Sequence, residues 1–200
     1  MALSAETDVL VPKPRKVVRG EGEFRIEPSL TTICYRDDSL AFAANWLSGQ
    51  LSRTFGTEMT PTQVGSAPDR NCIYLELSNR KEAKRPEAYR LTVTGHRATI
   101  SASDPSGALY GAVTLLQLGP VETFRNFALV DSVPGNDPGE ENRQAPRWHQ
   151  VQYPAPEPIG HFSIPSISIE DSPRFAWRGL LIDPARFYIS IEEMKRYVDY

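Results

Sequence analysis

Four pairs of adjacent acids stand out among the residues that could do chemistry: Asp37-Asp38, Glu140-Glu141, Glu170-Asp171 and Glu192-Glu193. Paired carboxylates can divide general acid and base work when their surroundings push their pKa values apart. None of the four has a context that favours such tuning, and helix caps and solvated faces account for them. Cys34 and Cys72 both fall in strand-like stretches. They read as buried free thiols, with a disulfide between neighbouring strands as the other reading. His96, His149 and His161 are scattered and no CxxC occurs, so no zinc or other metal site and no cofactor is expected. The remaining cluster is Arg178, Asp183 and Arg186, charges that flank a short apolar run. On residue types alone, Arg178 pairs with Asp183 or with a backbone carbonyl at the start of a strand.

The elements that must position these residues can be read from periodicity. Residues 9–19 hold two prolines and Val17-Val18, consistent with an extended edge segment. Phe24–Ile26 and Thr32–Tyr35 read as short strands. Leu40, Ala44, Leu47, Leu51 and Phe55 recur at helical spacing over residues 38–55, with Asp37, Asp38 or Ser39 as caps and Gly56 at the end. Ile73, Leu75 and Leu77 alternate, as do Tyr89, Leu91 and Val93, and then Ala98, Ile100 and Ala102. Gly95-His96 between the last two runs predicts a hairpin with a type II′ turn. Asp104 caps a second helix, Pro105 fits its first position, and Leu109, Val113 and Leu116 supply its apolar face. Gly107 and Gly111, four apart, suit close packing of that helix on a sheet. Residues 9–120 therefore predict an α+β layer, a mostly antiparallel sheet with two helices on one face.

Residues 121–165 differ. Between Val133 and Pro158 six prolines, at 134, 138, 146, 154, 156 and 158, fall among Gly, Asn and Glu, which reads as an insertion or linker. From residue 166 onward a short apolar strand at Trp177–Asp183 leads into a helix capped by Ser190, the opening unit of a parallel β/α array. At 200 residues the chain cannot hold a complete (β/α)8 barrel, which needs about 250. A net charge of −3 argues against a nucleic-acid binder or an anionic-membrane binder. No apolar run approaches the roughly 18 residues of a membrane span, and the N-terminal residues lack the apolar region of a signal peptide.

The run Pro173-Arg-Phe-Ala-Trp-Arg178-Gly-Leu-Leu-Ile-Asp183-Pro-Ala-Arg186 resembles the first barrel strand of the β-N-acetylhexosaminidases, glycoside hydrolase family 20. Upstream, Ser106-Gly-Ala-Leu-Tyr-Gly-Ala-Val-Thr-Leu-Leu-Gln117 is similar to the second helix of that family's N-terminal domain. Phe187 stands where the family usually has His. The resemblance implies an N-terminal accessory domain over 9–120, the Pro-rich stretch 121–165, and the first strand and helix start of a truncated barrel over 166–200.

The resemblance also implies an activity for the parent: exo-cleavage of terminal β-linked N-acetylglucosamine or N-acetylgalactosamine, assisted by the substrate's own acetamido oxygen. The family's catalytic Asp-Glu pair lies on a later barrel strand, so no catalytic residue is expected in this chain. It would then be inactive alone, with the rest of the barrel as its partner. Arg178 matches the arginine that grips the terminal sugar's hydroxyls 3 and 4, a task suited to a planar, permanently charged fork of N–H donors. Asp183 and Arg186 match positions that hold the strand and its loop by charge-assisted hydrogen bonds. Analogy points to the periplasm or the exterior of the cell. Two other readings stand beside this one. The first is a non-enzymatic module that binds a glycan or a partner domain, although no aromatic sugar platform is visible. The second is another hydrolase with a similar N-terminal layer, against which the Arg-Gly-x-x-x-Asp-x-x-Arg pattern argues.

Overall fold

Alternating apolar residues in several short stretches build the sheet that positions everything else. The computed structural model describes residues 10–78, 85–120, 123, 157–179, 181, 191 and 194. In chain order the elements are β1 (Lys16–Ile26), β2 (Thr32–Tyr35), a 3-10 turn (Asp38–Leu40), α1 (Ala41–Phe55), β3 (Thr62–Gln63), β4 (Cys72–Leu77), β5 (Tyr89–Val93), β6 (Arg97–Ala102), α2 (Pro105–Gln117) and β7 (Phe162–Asp171). The strands form one sheet in the order β1-β7-β5-β6-β4-β2-β3.

The sheet is mixed, which corrects the expectation of a mostly antiparallel one. Antiparallel pairing joins β1 to β7, β7 to β5 and β5 to β6. Pairing is parallel between β6 and β4, β4 and β2, and β2 and β3. The physical reason is the crossover: α1 carries the chain over the sheet between β2 and β4, and such a connection makes its two strands parallel. β6 then inserts between its hairpin partner β5 and β4.

Both helices contribute to a single core with the helix-facing side of the sheet. Leu40, Ala44, Leu47, Leu51 and Phe55 are all buried there, as their spacing predicts, together with Ile73, Leu75, Leu91, Ile100 and Ile169. Each buried Leu, Ile or Phe among them contributes about 1.5–3 kcal/mol from burial. Gly56 ends α1 in the left-handed conformation, φ 64°, where a side chain is disfavoured. The start of α1 differs from expectation: Asp37 makes no side-chain cap bond to the 3-10 turn that precedes the helix. Asp104 does cap α2, accepting from the Gly107 N–H at 2.9 Å, with Pro105 as the first helical residue.

Four further departures have clear causes. The buried face of α2 is made of Gly107, Ala108, Gly111, Ala112, Thr114, Leu115 and Leu116, while Leu109 and Val113 are only half-buried. Small residues let the helix settle onto β5 and β6: a Cβ on Gly111 would lie 2.6 Å from Ile100 Cγ2. At the β5–β6 hairpin, Gly95 lacks the positive φ of a type II′ turn. The Thr94 hydroxyl instead accepts from the His96 and Arg97 N–H groups, both at 3.3 Å, and shapes the turn. The edge segment and the Phe24–Ile26 strand are one element, β1, interrupted by a bulge between Arg19 and Glu23 in which Gly22 has φ 85°.

The fourth departure concerns the expected boundary between 165 and 166. It falls inside β7, whose residues Phe162–Asp171 pair with both β1 and β5. Residues 166–171 therefore belong to this sheet, because their alternating Ile167 and Ile169 complete its core. The expected strand at Trp177–Asp183 is not a strand over Trp177–Gly179; a strand needs a neighbour to satisfy its ladder, and among the described residues none pairs with these. Leu181 is likewise in no strand; Leu180, Ile182, Asp183, most of the Pro-rich stretch and the helix cap Ser190 lie outside the described residues. Among the described residues no helix is long and apolar enough to cross a membrane.

Candidate functional site

Arg178 is held by two side chains of the layer and by one carbonyl of its own segment. The turn before β5 places Glu87 in a left-handed conformation, φ 61°, unusual for a residue with a side chain. Asp104 fixes that turn. One of its carboxylate oxygens caps α2, and the other accepts the Glu87 N–H at 2.6 Å. The Ser103 hydroxyl accepts from the next N–H, that of Ala88, at 2.9 Å. Glu87 thus projects its carboxylate beside the first turns of α2, where Tyr110 stands. The Arg178 Nη2 donates to Glu87 Oε2 at 2.6 Å and to the Tyr110 hydroxyl at 3.0 Å. Its Nη1 donates to the carbonyl of Phe175 at 2.6 Å. The guanidinium carbon lies 5.7 Å from the centre of the Tyr110 ring, within cation–π range. The hydrogen bonds it donates to Glu87 first and to Tyr110 second push the Arg178 pKa above its ordinary value.

This arrangement is a docking contact. It ties the segment after β7 to the α+β layer through a half-exposed ion pair, while neighbouring Trp177 stays 86% exposed. Asp183 and Arg186 lie outside the described residues. The sequence reading names Arg178 but not the partners it has here, Glu87 and Tyr110. Tyr110 lies within the α2 motif; the left-handed turn that aims Glu87 leaves no sequence signature.

The other candidates have structural roles where they are described. Glu170 bridges Lys16 at 3.4 Å and Arg90 at 2.9 Å, and Asp171 accepts the Arg15 N–H at 3.2 Å. Asp38 opens the 3-10 turn; Glu140, Glu141, Glu192 and Glu193 lie outside the described residues. Cys34 and Cys72 are buried free thiols, the first of the two readings. Burial above all, with Cys34 adding to it, pushes the Cys72 thiol up to about 11.

A family model described as glycosyl hydrolase family 20, domain 2, matches residues 8–172. The chain belongs to this family. The match ends one residue beyond β7, so the family 20 domain takes in the whole sheet. A β-hexosaminidase of Porphyromonas gingivalis is 26% identical over 190 residues, covering 95% of this chain and 20% of that protein. One from Akkermansia muciniphila is 32% identical over 113 residues, covering 56% of this chain and 16% of the relative. Among solved structures, the family 20 β-N-acetylhexosaminidase of Streptomyces coelicolor has a TM-score of 0.68 at 26% identity, covering 96% of this chain and 32% of that one. The N-acetyl-β-hexosaminidase of Streptomyces plicatus, in complex with thio-NAglucal, has a TM-score of 0.69 at 25% identity, covering 98% and 32%. The chain thus spans between a sixth and a third of the lengths of these family 20 proteins.

Proposed function

We propose that this chain supplies the N-terminal layer and the first barrel segment of an exo-acting β-N-acetylhexosaminidase. The observation that carries the proposal is Arg178, in its Pro-Arg-Phe-Ala-Trp-Arg run, immediately after a domain of the family 20 kind. In the assembled enzyme, Arg178 grips hydroxyls 3 and 4 of a terminal N-acetylhexosamine, and Asp183 and Arg186 hold its strand. Closing the pocket around the far end of the sugar restricts cleavage to chain ends. The acetamido oxygen of the substrate attacks the anomeric carbon and the glycosidic bond breaks. A Glu on a later strand gives its proton to the leaving oxygen, and a neighbouring Asp orients the acetamido group. That pair matches none of the acids among these 200 residues, so the 200-residue polypeptide binds and positions but does not hydrolyse. The domain limits follow: the accessory layer runs to Asp171 with the Pro-rich stretch inside it, and the barrel segment begins after it. Action in the periplasm or outside the cell belongs to the same proposal.

In the structure Arg178 is engaged by Glu87 and Tyr110, so gripping a sugar requires exchanging these partners for sugar hydroxyls. The test joins residues 1–200 to the remaining barrel of the Streptomyces coelicolor enzyme. Turnover of an aryl β-N-acetylglucosaminide is expected from the chimera and not from the 200-residue polypeptide. In the chimera, Arg178→Lys should lower kcat/KM roughly a hundredfold, the loss of two hydrogen bonds from a charged donor. Turnover by the 200-residue polypeptide that disappears in Arg178→Ala, or a chimera indifferent to Arg178→Lys, would overturn the reading.

A further inference from the structure

The face of the sheet turned away from the helices carries a cluster that the reading of Arg178 leaves unused. Alternation sends every other residue of the strands there, and the register sets them in rows. Lys16, Glu170, Arg90, Ser101 and Glu76 stand opposite one another across five strands. Two residues further along, roughly 7 Å away, Ser168, Thr92 and Thr99 form a row of hydroxyls. Thr94 and Arg97 close the face beyond it. Most of these residues line a groove of about 480 Å³, with Arg15, Arg85 and Ser172 at its rim.

The charges in this groove do not balance. Five cations line it, Arg15, Lys16, Arg85, Arg90 and Arg97, against Glu76, Glu170 and Asp171. Cations thus outnumber carboxylates among the described lining residues, on a chain whose net charge is −3. A single carboxylate, Glu170, serves both Lys16 and Arg90. Arg97 donates to the carbonyl of Pro68 at 3.2 Å. The Arg15 guanidinium donates to the carbonyls of Ser172 and Pro173. Carbonyls satisfy N–H groups but do not neutralise a guanidinium. Ser172 adds an independent sign: its hydroxyl is buried, lines the groove and has no hydrogen-bond partner among the described residues, a state that buried polar atoms rarely keep. Among the described residues the one aromatic in the lining, Tyr89, is buried and bonds Thr114 of α2 at 2.6 Å, so none of them lays a ring open for a neutral sugar to stack on.

We propose that this groove binds an acidic saccharide. Its carboxylate or sulfate groups are taken by Arg90, Arg97 and Arg15, and its hydroxyls by Thr92, Thr99 and Ser172. Guanidinium forks match planar and tetrahedral oxyanions, and the intervening hydroxyl row offers both donors and acceptors.

The test is an amide-shift titration of the 200-residue chain with a chondroitin sulfate hexasaccharide. Uncharged chitohexaose and a single-stranded oligodeoxynucleotide serve as comparisons at the same salt concentration. The expected result is shifts confined to β5, β6 and the Arg15 and Ser172 rim with the sulfated sugar, and at least tenfold weaker binding of both comparisons. Arg90→Gln with Arg97→Gln should weaken the sulfated sugar about tenfold or more; Arg53→Gln, on an exposed site of α1, should leave it unchanged. Absence of shifts at millimolar sugar, equal binding of chitohexaose, equal binding of the oligonucleotide, or equal loss in Arg53→Gln would each overturn the proposal. Should the double variant not fold, the three titrations of the unaltered chain still decide it.

Discussion

Two helical glycines should respond in opposite directions to the same substitution. Gly49 lies in α1 with no atom within 4 Å of where a Cβ would stand. Gly49→Ala therefore removes backbone freedom from the unfolded chain at no steric cost and should stabilise by up to about 1 kcal/mol. Gly107 lies in the first turn of α2. A Cβ there would stand 2.5 Å from the carbonyl oxygen of Ala88 and 3.0 Å from the carbonyl carbon of Glu87. Both atoms are backbone, in the turn that Asp104 fixes, so no side chain can swing aside. The helix must lift or the turn must move, and overpacking of this kind costs about 1–3 kcal/mol. Either movement also stretches the bonds from Asp104 to Gly107 and Glu87, each contributing roughly 1 kcal/mol. The helix-propensity gain offsets about 1 kcal/mol, leaving a net loss of about 1–3 kcal/mol. Urea unfolding followed by tryptophan fluorescence and far-UV circular dichroism would measure both variants, with the denaturant slope held to be unchanged. For a chain of this size the melting temperature should rise by up to about 4 °C for Gly49→Ala and fall by roughly 2–12 °C for Gly107→Ala. A Gly107→Ala variant as stable as the parent would refute the close approach of α2 to the 87–88 turn, and with it the positioning of Glu87 beneath Arg178.

Three more measurements probe the same layer. Asp104→Ala removes two bonds to backbone N–H groups at once and should cost about 1–2 kcal/mol in the same urea assay; a loss below a few tenths would contradict its bridging role. Burial, opposed by the bond from Thr114, pushes the Tyr89 hydroxyl up to about 12 from an ordinary 10. The unfolded chain then loses that proton before the folded one, so this contribution is intact below pH 10 and is lost as pH rises towards 12, up to about 2 kcal/mol. Tyr89→Phe should show a shallower decline in stability over that interval, and an identical decline would refute the assignment. Cys72, with its pKa near 11 and no exposed surface, should resist a thiol-specific disulfide reagent at pH 8 in the native protein and react fully in urea.

Regular alternation and cap chemistry made much of this fold legible. The Leu40-to-Phe55 stripe, the Asp104-Pro105 start and the Gly56 stop are all local signals, and the structure uses them as read. Strand direction and partner choice are not local. Nothing in Cys72–Leu77 announces that both its neighbours run parallel to it; that follows from the crossover and from β6 inserting beside it. The α2 face was misassigned because hydrophobicity favours Leu109 and Val113, whereas close packing favours the glycines and alanines beside them. β7 was divided because its apolar alternation changes phase opposite the β1 bulge, Phe162 and Ile164 giving way to Ile167 and Ile169. At the candidate site Arg178 was legible through its motif. Glu87 was not, since a left-handed turn 91 residues away in sequence brings it there.

The irregularity in β1 has a consequence for association. An open sheet invites growth at its outer strands, where unpaired amides and carbonyls can template another chain. Here one outer strand, β3, is only two residues long. The other, β1, is broken mid-length by the Gly20–Gly22 bulge and carries exposed Lys16, Arg19, Glu21, Glu23 and Arg25. Bulges twist an edge away from a straight partner, and mixed charges penalise stacking a copy in register. Among the described residues the sheet thus offers no long, straight edge at either end for another chain to extend.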